Sequence, residues 1–380
     1  MRRFALTSIA LALVVSAGQA GPKEDLLKTW DKGAAWLASK QAADGSWTSA
    51  AFQEKPDVAM TGLAVAALAG SAEGRKKYAE VIDKGCAYLL KNQAADGAIA
   101  NEGAVPKLTN YKTAIATTAL ATVDKAKYKE ALDKATKWMI AFQYQEGGAQ
   151  KADKNDPNFG GAGYDEKKDA PRGDMSNTSY MLEALAAADV PKDSEAFKRA
   201  LTFVQRCQNR SESNDGPGFD KLGLVVGDDG GFFYRPGESK AEKETLPNGK
   251  QCFRSYGSMT YEGYRSLIYA GLTKDDPRVK AALAWISKHY TLDENPGMKM
   301  QGYYYYLNAF ASGLDAAGLS EIKDSDGETH KWAEELTAKL ASLQKDDGSW
   351  IGSERWMEDN PTIPTMYALL ALDKAANHVK

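Results

Sequence analysis

A short unit recurs along this chain and limits the folds that it can adopt. In each copy an amphipathic segment leads into a turn that begins with Gln, and a second segment rich in Ala, Leu and Thr follows. The turn reads Q-x-x-D-G at Gln41, Gln93 and Gln344. This repeated pattern predicts a series of stacked helix pairs, each of which needs its neighbours to bury its apolar surface.

Six copies of the unit span the chain, and their second segments share a register. The second segment of the fifth copy is degenerate, whereas the other five place a Thr seven residues before a Leu. These pairs are Thr61 and Leu68, Thr113 and Leu120, Thr178 and Leu185, Thr260 and Leu267, and Thr365 and Leu372. The first segments carry Lys and Asp on one side, while the second are apolar nearly all round, which is typical of helices buried on every side.

Twelve helices that alternate between these two types predict an all-α fold, an (α/α)6 toroid of six helix-pair repeats. The buried helices would form an inner barrel, and the amphipathic helices would surround it. An open superhelix is the alternative, but both ends carry full repeats, which favours a closed ring. We expect one domain over residues 21–380, with insertions at about 144–173 and 209–255.

The first twenty residues have the pattern of a secretory signal peptide. Arg2 and Arg3 precede an apolar stretch at residues 9–15, and small residues lead up to Ala20. We expect cleavage after Ala20 and export to the periplasm or the extracellular space. A retained membrane anchor is the alternative.

The cysteines and histidines indicate a disulfide and no metal site. Cys207 and Cys252 flank the second insertion, so we expect them to pair and Cys86 to stay buried and free. The three histidines are scattered along the chain, and no C-x-x-C spacing is present. We therefore expect neither a metal nor another cofactor.

The recurring turn has a structural explanation. The Gly can adopt a left-handed backbone and end a helix, and the Gln side chain can bond backbone groups left free at a helix end. Trp47 and Trp350 can cover the junction between repeats. Stacking of these two tryptophans on a carbohydrate or another ligand is the alternative.

The complete form of the turn, Q-x-x-x-G-x-W, is present at Gln41–Trp47 and Gln344–Trp350. It resembles the QW motif of squalene–hopene and oxidosqualene cyclases. The helix that follows resembles those cyclases and the β subunits of protein prenyltransferases. The resemblance extends over about residues 25–376 and implies the same (α/α)6 toroid.

The resemblance also identifies the place where a class II cyclase would carry its acid, in a D-x-D-D-T motif. The matching stretch here is "DMSNTS", in which Asp174 and Thr178 match the family while Ser176 and Asn177 replace its second and third Asp. Neither replacement can protonate an alkene, since that step needs a carboxylic acid held above an apolar cavity. Proton-initiated cyclisation is therefore not expected from this motif.

Candidate catalytic carboxylates lie where the inner helices would begin. Both insertions connect an outer helix to the next inner helix, so we expect them on the face where the inner-helix N-termini converge. Asp57 and Asp174 precede inner helices, and Glu358 precedes the last one. Capping of a helix N-terminus is the alternative role for both aspartates.

Aromatic, amide and cationic residues on the same face are candidates for ligand binding. Core packing is the alternative for the tyrosines, and a solvated loop position is the alternative for the arginines. The candidates are Asn177, Arg254, Tyr256, Tyr261, Tyr303, Tyr304, Arg355 and Trp356.

Three functions fit these features. The first is an exported terpenoid cyclase- or prenyltransferase-like repeat protein of unassigned activity that binds an isoprenoid or another lipid in the toroid lumen. The second is a glycan-binding or polysaccharide-lyase-like toroid, and the third is a non-catalytic interaction scaffold. A formal net charge of −3 with no basic stripe argues against a nucleic-acid partner. An apolar lumen would favour the lipid, whereas an open groove with tyrosines, arginines and carboxylates would favour the glycan.

Overall fold

Helices dominate the part of the chain that the computed structural model describes, namely residues 21–48, 54–102, 107–165 and 172–379. The predicted signal peptide at residues 1–20 lies outside these ranges. In chain order the helices are α1 (Pro22–Ala38), α2 (Val58–Ala69), α3 (Ala72–Lys77), α4 (Ala79–Lys91), α5 (Thr109–Asp124), α6 (Lys129–Phe142), α7 (Met175–Ala187), α8 (Glu195–Arg206), α9 (Gly257–Tyr269), α10 (Pro277–Lys288), α11 (Tyr303–Ala316), α12 (Trp332–Leu343) and α13 (Thr362–Ala375). Two short antiparallel hairpins pair β1 (Lys243–Thr245) with β2 (Gln251–Phe253), and β3 (Ile322–Lys323) with β4 (Thr329–His330).

Six helices form a closed inner barrel. Each packs against the next in the order α2, α5, α7, α9, α11 and α13, and α13 packs against α2. The helices α1, α4, α6, α8, α10 and α12 lie outside this barrel, and α12 packs against α1. The predicted all-α toroid is therefore confirmed, with a closed ring in place of the open superhelix.

The composition of each helix explains its layer. Every residue of α2 is buried, and most of them are Ala, Val, Leu or Gly, whose small or apolar side chains allow close packing on all sides. The outer helix α8 instead buries one face, which includes Phe197, Phe203 and Val204. Within the described ranges, none of the helices combines the length and the apolarity needed to cross a bilayer.

The recurring Gln joins each of five outer helices to the next one around the ring. Its Nε2 atom donates to the carbonyl of a turn Gly and to a backbone carbonyl of the next outer helix. The acceptors are Gly45 and Val81 for Gln41, Gly97 and Ala131 for Gln93, Gly160 and Ala196 for Gln143, Gly230 and Arg278 for Gln208, and Gly348 and Thr29 for Gln344.

The aligned Thr joins each inner helix to the turn in the same five repeats. Its Oγ1 accepts a hydrogen bond from a backbone N–H that lies six residues or more after the Gln. The donors are Trp47 for Thr61, Ile99 for Thr113, Ala162 for Thr178, Phe232 for Thr260 and Trp350 for Thr365. Trp47 and Trp350 are fully buried, and their indole N–H groups donate to Leu37 and Leu340, so neither ring can stack on a ligand.

The predicted disulfide is wrong, because Cys207 and Cys252 are both buried and free. Cys207 follows α8 inside the apolar core, whereas Cys252 lies on β2. The Cys252 thiol faces the Glu244 carboxylate across the hairpin at 3.6 Å. Burial raises the pKa of the Cys207 thiol well above its ordinary value, which keeps it protonated. Cys86 is buried and free as well.

Candidate functional site

A cavity of about 180 Å³ opens on the face of the barrel where the inner helices begin. Its wall contains seven tyrosines, which are Tyr111, Tyr164, Tyr180, Tyr234, Tyr256, Tyr305 and Tyr367. Four methionines add further apolar surface, namely Met60, Met259, Met298 and Met357. The wall is thus largely aromatic and apolar, although most of its aromatic side chains carry a hydroxyl group.

The tyrosines pack against one another and remain neutral. The rings of Tyr111 and Tyr180 meet edge to face with 5.2 Å between their centroids, and those of Tyr305 and Tyr367 lie 5.6 Å apart. The hydroxyl groups of Tyr180 and Tyr367 are 3.3 Å apart. Burial raises the pKa of Tyr111 to about 12, so the hydroxyl stays protonated. These contacts fix uncharged aromatic rings around the cavity.

Glu358 is the acidic residue in the described part of this wall. Its side chain is 1% exposed, and burial raises its pKa to about 7. Oε1 accepts a hydrogen bond from the Tyr305 backbone N–H at 3.0 Å, at the start of α11, whereas Oε2 has no partner among the described residues. The two residues before it, Trp356 and Met357, have φ angles of 68° and 64°, a costly conformation for non-glycine residues. The chain therefore adopts a strained path where it places this carboxyl in the cavity wall.

Asp174 caps α7 and does not line the cavity. Its carboxylate accepts hydrogen bonds from the Asn177 backbone N–H at 2.9 Å and from the Asn177 amide at 2.9 Å. Burial raises its pKa to about 6. Asn177 is fully buried and also lies outside the cavity lining. Ser176 does line the cavity, and its hydroxyl lies 3.1 Å from that of Tyr305.

Asp57 has the capping role that was the alternative for it. Its carboxylate accepts from the Ala59 backbone N–H at 2.8 Å at the start of α2. It also forms an ion pair with Lys112 at 2.8 Å, and both side chains are buried. Asp57 lies outside the cavity lining, so its contacts support the junction between α2 and α5.

Among the predicted ligand-binding residues, Tyr256 and Trp356 line the cavity, whereas Arg254 and Arg355 do not. Tyr256 is a buried part of the wall, and Trp356 lies at the edge with 42% of its surface exposed. Arg254 lies 3.7 Å from Glu244 on the β1–β2 hairpin, which holds it away from the cavity. Arg355 is exposed, with its guanidinium over the Trp356 ring at 5.6 Å.

Tyr261, Tyr303 and Tyr304, three of the predicted ligand-binding residues, lie outside the lining of this cavity. Tyr261 packs against Phe310 inside the barrel at 5.0 Å. The Tyr303 hydroxyl donates to the Leu292 carbonyl at 2.5 Å, and its ring contacts that of Tyr304. Because successive residues of a helix point about 100° apart, one member of the Tyr run reaches the cavity, and that residue is Tyr305.

Sequence reasoning missed most of the tyrosine wall, although part of it had a signal. Tyr180 and Tyr367 each stand two residues after the aligned Thr of their helices. The alignment of the repeats therefore places both tyrosines at the same level of the barrel. Tyr164 and Tyr234 come from the two insertions, where no repeat fixes the position of a side chain.

One surface cluster has ligand atoms spaced for a metal ion. Asp324, Glu328 and His330 bring such atoms within 4.8 Å of one another around the β3–β4 hairpin. The His330 ring already bonds Asp324 at 3.2 Å and Glu335 at 3.1 Å. The three residues are absent from the cavity lining, so the cluster adds nothing to the chemistry of the cavity.

Comparisons with known proteins agree with this architecture. Residues 108–225 match the family model of the squalene-hopene cyclase C-terminal domain. No curated protein sequence matches the chain.

The solved structures with the same fold include enzymes of two kinds. A variant of the type II terpene cyclase MstE from Scytonema, in complex with geranylgeranyl dihydroxybenzoate, is 13% identical with a TM-score of 0.53, and the match covers 94% of this chain and 99% of that one. The GH76A α-1,6-mannanase from Salegentibacter sp. HEL1_6 is 10% identical with a TM-score of 0.58, and the match covers 93% and 100%. The chain therefore has an α/α toroid like those of type II terpene cyclases and a GH76 mannanase, and its residues 108–225 match the squalene-hopene cyclase C-terminal domain.

Proposed function

We propose that the protein binds an isoprenoid or another lipid in the tyrosine-lined cavity. The observation that carries this proposal is the composition of the wall, with seven tyrosines and four methionines around an inner-helix mouth. Burial of an apolar ligand against such a wall is favourable by roughly 25 cal/mol for each Å² removed from water. The geranylgeranyl compound bound to the MstE variant supports this ligand class through the shared fold.

Ligand binding is a better-supported proposal than proton-initiated cyclisation. Ser176 stands at the third position of the motif, where the family carries its acid, and a hydroxyl is far too weak an acid to protonate an alkene. Asn177 follows it, and its amide group is bonded to Asp174, which lies outside the cavity lining. A carboxyl with a pKa of about 7, as Glu358 has, is also a weaker acid than an ordinary glutamic acid. We therefore leave cyclisation out of the proposal.

The cavity chemistry argues against glycoside hydrolysis. The usual mechanism needs two carboxyl groups across the scissile bond, about 5 to 9.5 Å apart. Glu358 alone supplies a carboxyl to the described part of the cavity wall. The mannanase resemblance, including its variant bound to α-1,6-mannotriose, thus concerns the fold. A purely structural scaffold would have no use for a cavity with an unpartnered carboxyl oxygen in its wall.

We also propose that the protein acts after export, as the pattern of residues 1–20 indicates. Mass spectrometry of the protein purified from a cell envelope or culture fluid should give a chain that begins at Gly21. A chain that retains Met1 in the cytoplasmic fraction would contradict export.

Native mass spectrometry and ligand titration test the binding proposal. The saturated C15 isoprenoid farnesane should bind, and α-1,6-mannotriose should not. Ile363→Trp, which fills the cavity wall, should weaken farnesane binding by at least about tenfold, since a filled cavity loses the buried contact area. Leu370→Trp on the same helix is the control, because Leu370 lies at the opposite mouth of the barrel. The proposal would be overturned if farnesane did not bind while mannotriose did, and if Ile363→Trp abolished the binding of mannotriose.

A further inference from the structure

A second cavity lies inside the same barrel, at the face where the inner helices end. Its volume is about 70 Å³, and its wall includes Gly70, Thr122 and Lys374, at or near the last turns of α2, α5 and α13. Among the described residues, Tyr180 is the one that lines both this cavity and the tyrosine-lined cavity. The two cavities therefore meet at the Tyr180 side chain.

The spacing of the lining residues indicates that both cavities belong to one lumen. Residues three or four apart lie on the same face of a helix. On three inner helices, steps of this size lead from the wall of the first cavity to the wall of the second. The residues are Ser176, Tyr180 and Glu183 on α7, Tyr111, Ile115 and Thr118 on α5, and Ile363, Tyr367 and Leu370 on α13. The side chains at the middle of these faces therefore decide whether the lumen is open from one mouth to the other.

Four tyrosines form a partition at this middle level. In the order of the ring, α7 and α13 are three places apart and face each other across the lumen. The contact of 3.3 Å between the hydroxyl groups of Tyr180 and Tyr367 therefore spans the lumen. The ring of Tyr111 on α5 packs edge to face on Tyr180, and that of Tyr305 on α11 packs on Tyr367. The hydroxyl contact thus joins two pairs of aromatic rings, and Tyr180 is the member that separates the two cavities.

We propose that Tyr180 limits the length of the lipid that the tyrosine-lined cavity binds. This inference rests on the proposed function and specifies its ligand by size. The Tyr180 ring closes the inner end of the cavity, so a longer chain extends out of the mouth and buries no further surface. Without this ring, the chain continues into the second cavity, where Leu63, Ile115 and Leu370 supply apolar contacts.

A competition between two saturated isoprenoids tests the inference on the unmodified mature protein. Farnesane is a C15 compound and phytane a C20 compound, so they differ by one isoprenoid unit. Native mass spectrometry of the protein with an equimolar mixture gives the ratio of bound phytane to bound farnesane. We expect the wild type to bind phytane no more tightly than farnesane, because the additional unit stays in water.

Variants then assign the limit to the Tyr180 ring. Tyr180→Ala should raise the ratio at least about tenfold, since the additional carbons become buried. Tyr180→Phe keeps the ring and loses the hydroxyl, so it should retain the wild-type ratio. Loss of a buried ring can destabilise the barrel, so Tyr180→Leu, which leaves a smaller void, repeats the measurement.

A substitution in the second cavity shows where the longer chain goes. Leu370→Trp fills that cavity and should leave the wild-type ratio unchanged. Combined with Tyr180→Ala, it should return the raised ratio to the wild-type value, because the space for the additional unit is lost.

The outcomes separate this inference from the proposal beneath it. A ratio that stays at the wild-type value in folded Tyr180→Ala and Tyr180→Leu would overturn the length limit and leave lipid binding intact. The same conclusion would follow if the wild type bound phytane more tightly than farnesane, or if Leu370→Trp did not cancel the gain. If neither compound binds, the proposed function fails and the inference fails with it.

Discussion

The side-chain amide of Gln344 donates to the backbone carbonyl of Thr29 at 2.9 Å, between positions 315 residues apart in the sequence. This bond links α12, the last outer helix, to α1, the first. The same amide donates to the Gly348 carbonyl at 2.9 Å. Four other glutamines make the equivalent pair of bonds around the ring, so the closure of the toroid uses the same contact as four of its other five junctions.

Replacing Gln344 by Ala should lower the free energy of unfolding by about 1 to 3 kcal/mol, because two carbonyl groups lose a partner at a closed junction. Urea denaturation of the mature protein measures the change. Lys345→Ala, at the exposed neighbouring position, is the control and should stay within about 0.5 kcal/mol of the wild type. A loss for Gln344→Ala no larger than that of the control would contradict the role of the amide in closing the ring.

Gly348 should resist substitution for a reason beyond its backbone angle. Its φ is 95°, and a Cβ atom there would lie 2.5 Å from the Lys32 carbonyl oxygen of α1. Gly327 has a similar φ of 87° with open space around it. Gly327→Ala should therefore cost about 1 to 2 kcal/mol of backbone strain, and Gly348→Ala clearly more. Thermal and urea unfolding of both variants compare the two costs, and equal values would exclude the steric contribution.

Glu358 should make stability depend on pH. Its pKa rises from an ordinary value of 4.5 to about 7 on folding, so the folded state favours the protonated form. The free energy of unfolding is therefore highest below pH 4.5, as far as this group is concerned. It falls as the pH rises from 4.5 to about 7, and it stays at the lower value above pH 7. A shift of this size corresponds to something on the order of 3 kcal/mol.

Glu358→Gln should remove this loss, so its unfolding free energy at pH 8 should exceed that of the wild type while the two converge near pH 4.5. Urea titrations at intervals between pH 4.5 and 8 measure both. Glu102→Gln, at an exposed position, should follow the wild-type profile. Parallel profiles for wild type and Glu358→Gln would show that the carboxyl is not desolvated as described.

Restoring an acid at position 177 should destabilise the protein at neutral pH. The Asn177 amide donates to both oxygens of Asp174, at 3.1 and 2.9 Å, and an Asp would face that carboxylate with a second one. Like charges at this distance raise each other's pKa, so Asn177→Asp should lose stability above about pH 6 and recover below it. Asn177→Ala loses the same hydrogen bonds without adding a charge, so its deficit should change less with pH. Urea unfolding at pH 5 and pH 8 distinguishes the two variants.

The scaffold could be predicted because five of the six repeats make the same contacts in the same register. Gln143 and Gln208 show how far this holds, since an insertion separates each from its turn glycine. Gln143 bonds Gly160 and Gln208 bonds Gly230, across 17 and 22 positions of the sequence. Gly230, in the "DDGG" stretch at residues 228–231, is therefore the turn glycine of this repeat. The insertion before it hides this role in the sequence.

The cavity was harder to predict because its residues do not follow the repeat. Glu358 was identified from its place before the last inner helix, and Tyr256 from the start of another. Tyr164 and Tyr234 reach the cavity from insertions, where side-chain direction depends on tertiary packing. Both candidate aspartates cap helices, and the sequence could not separate the two roles because an N-cap and a catalytic carboxylate occupy the same position before a helix.

The bond between Gln344 and Thr29 also bears on how the chain can be connected and how it folds. Because this junction has the same contacts as four others, the position of the chain termini should not matter for the ring. A circular permutant opened at the turn after Gln93 should therefore assemble the same barrel.

During synthesis, the faces of α1 and α2 that contact α12 and α13 stay uncovered until those last helices have been made. Contacts this distant in sequence slow folding, so the newly made amino-terminal repeats are the part of the molecule most in need of protection from aggregation.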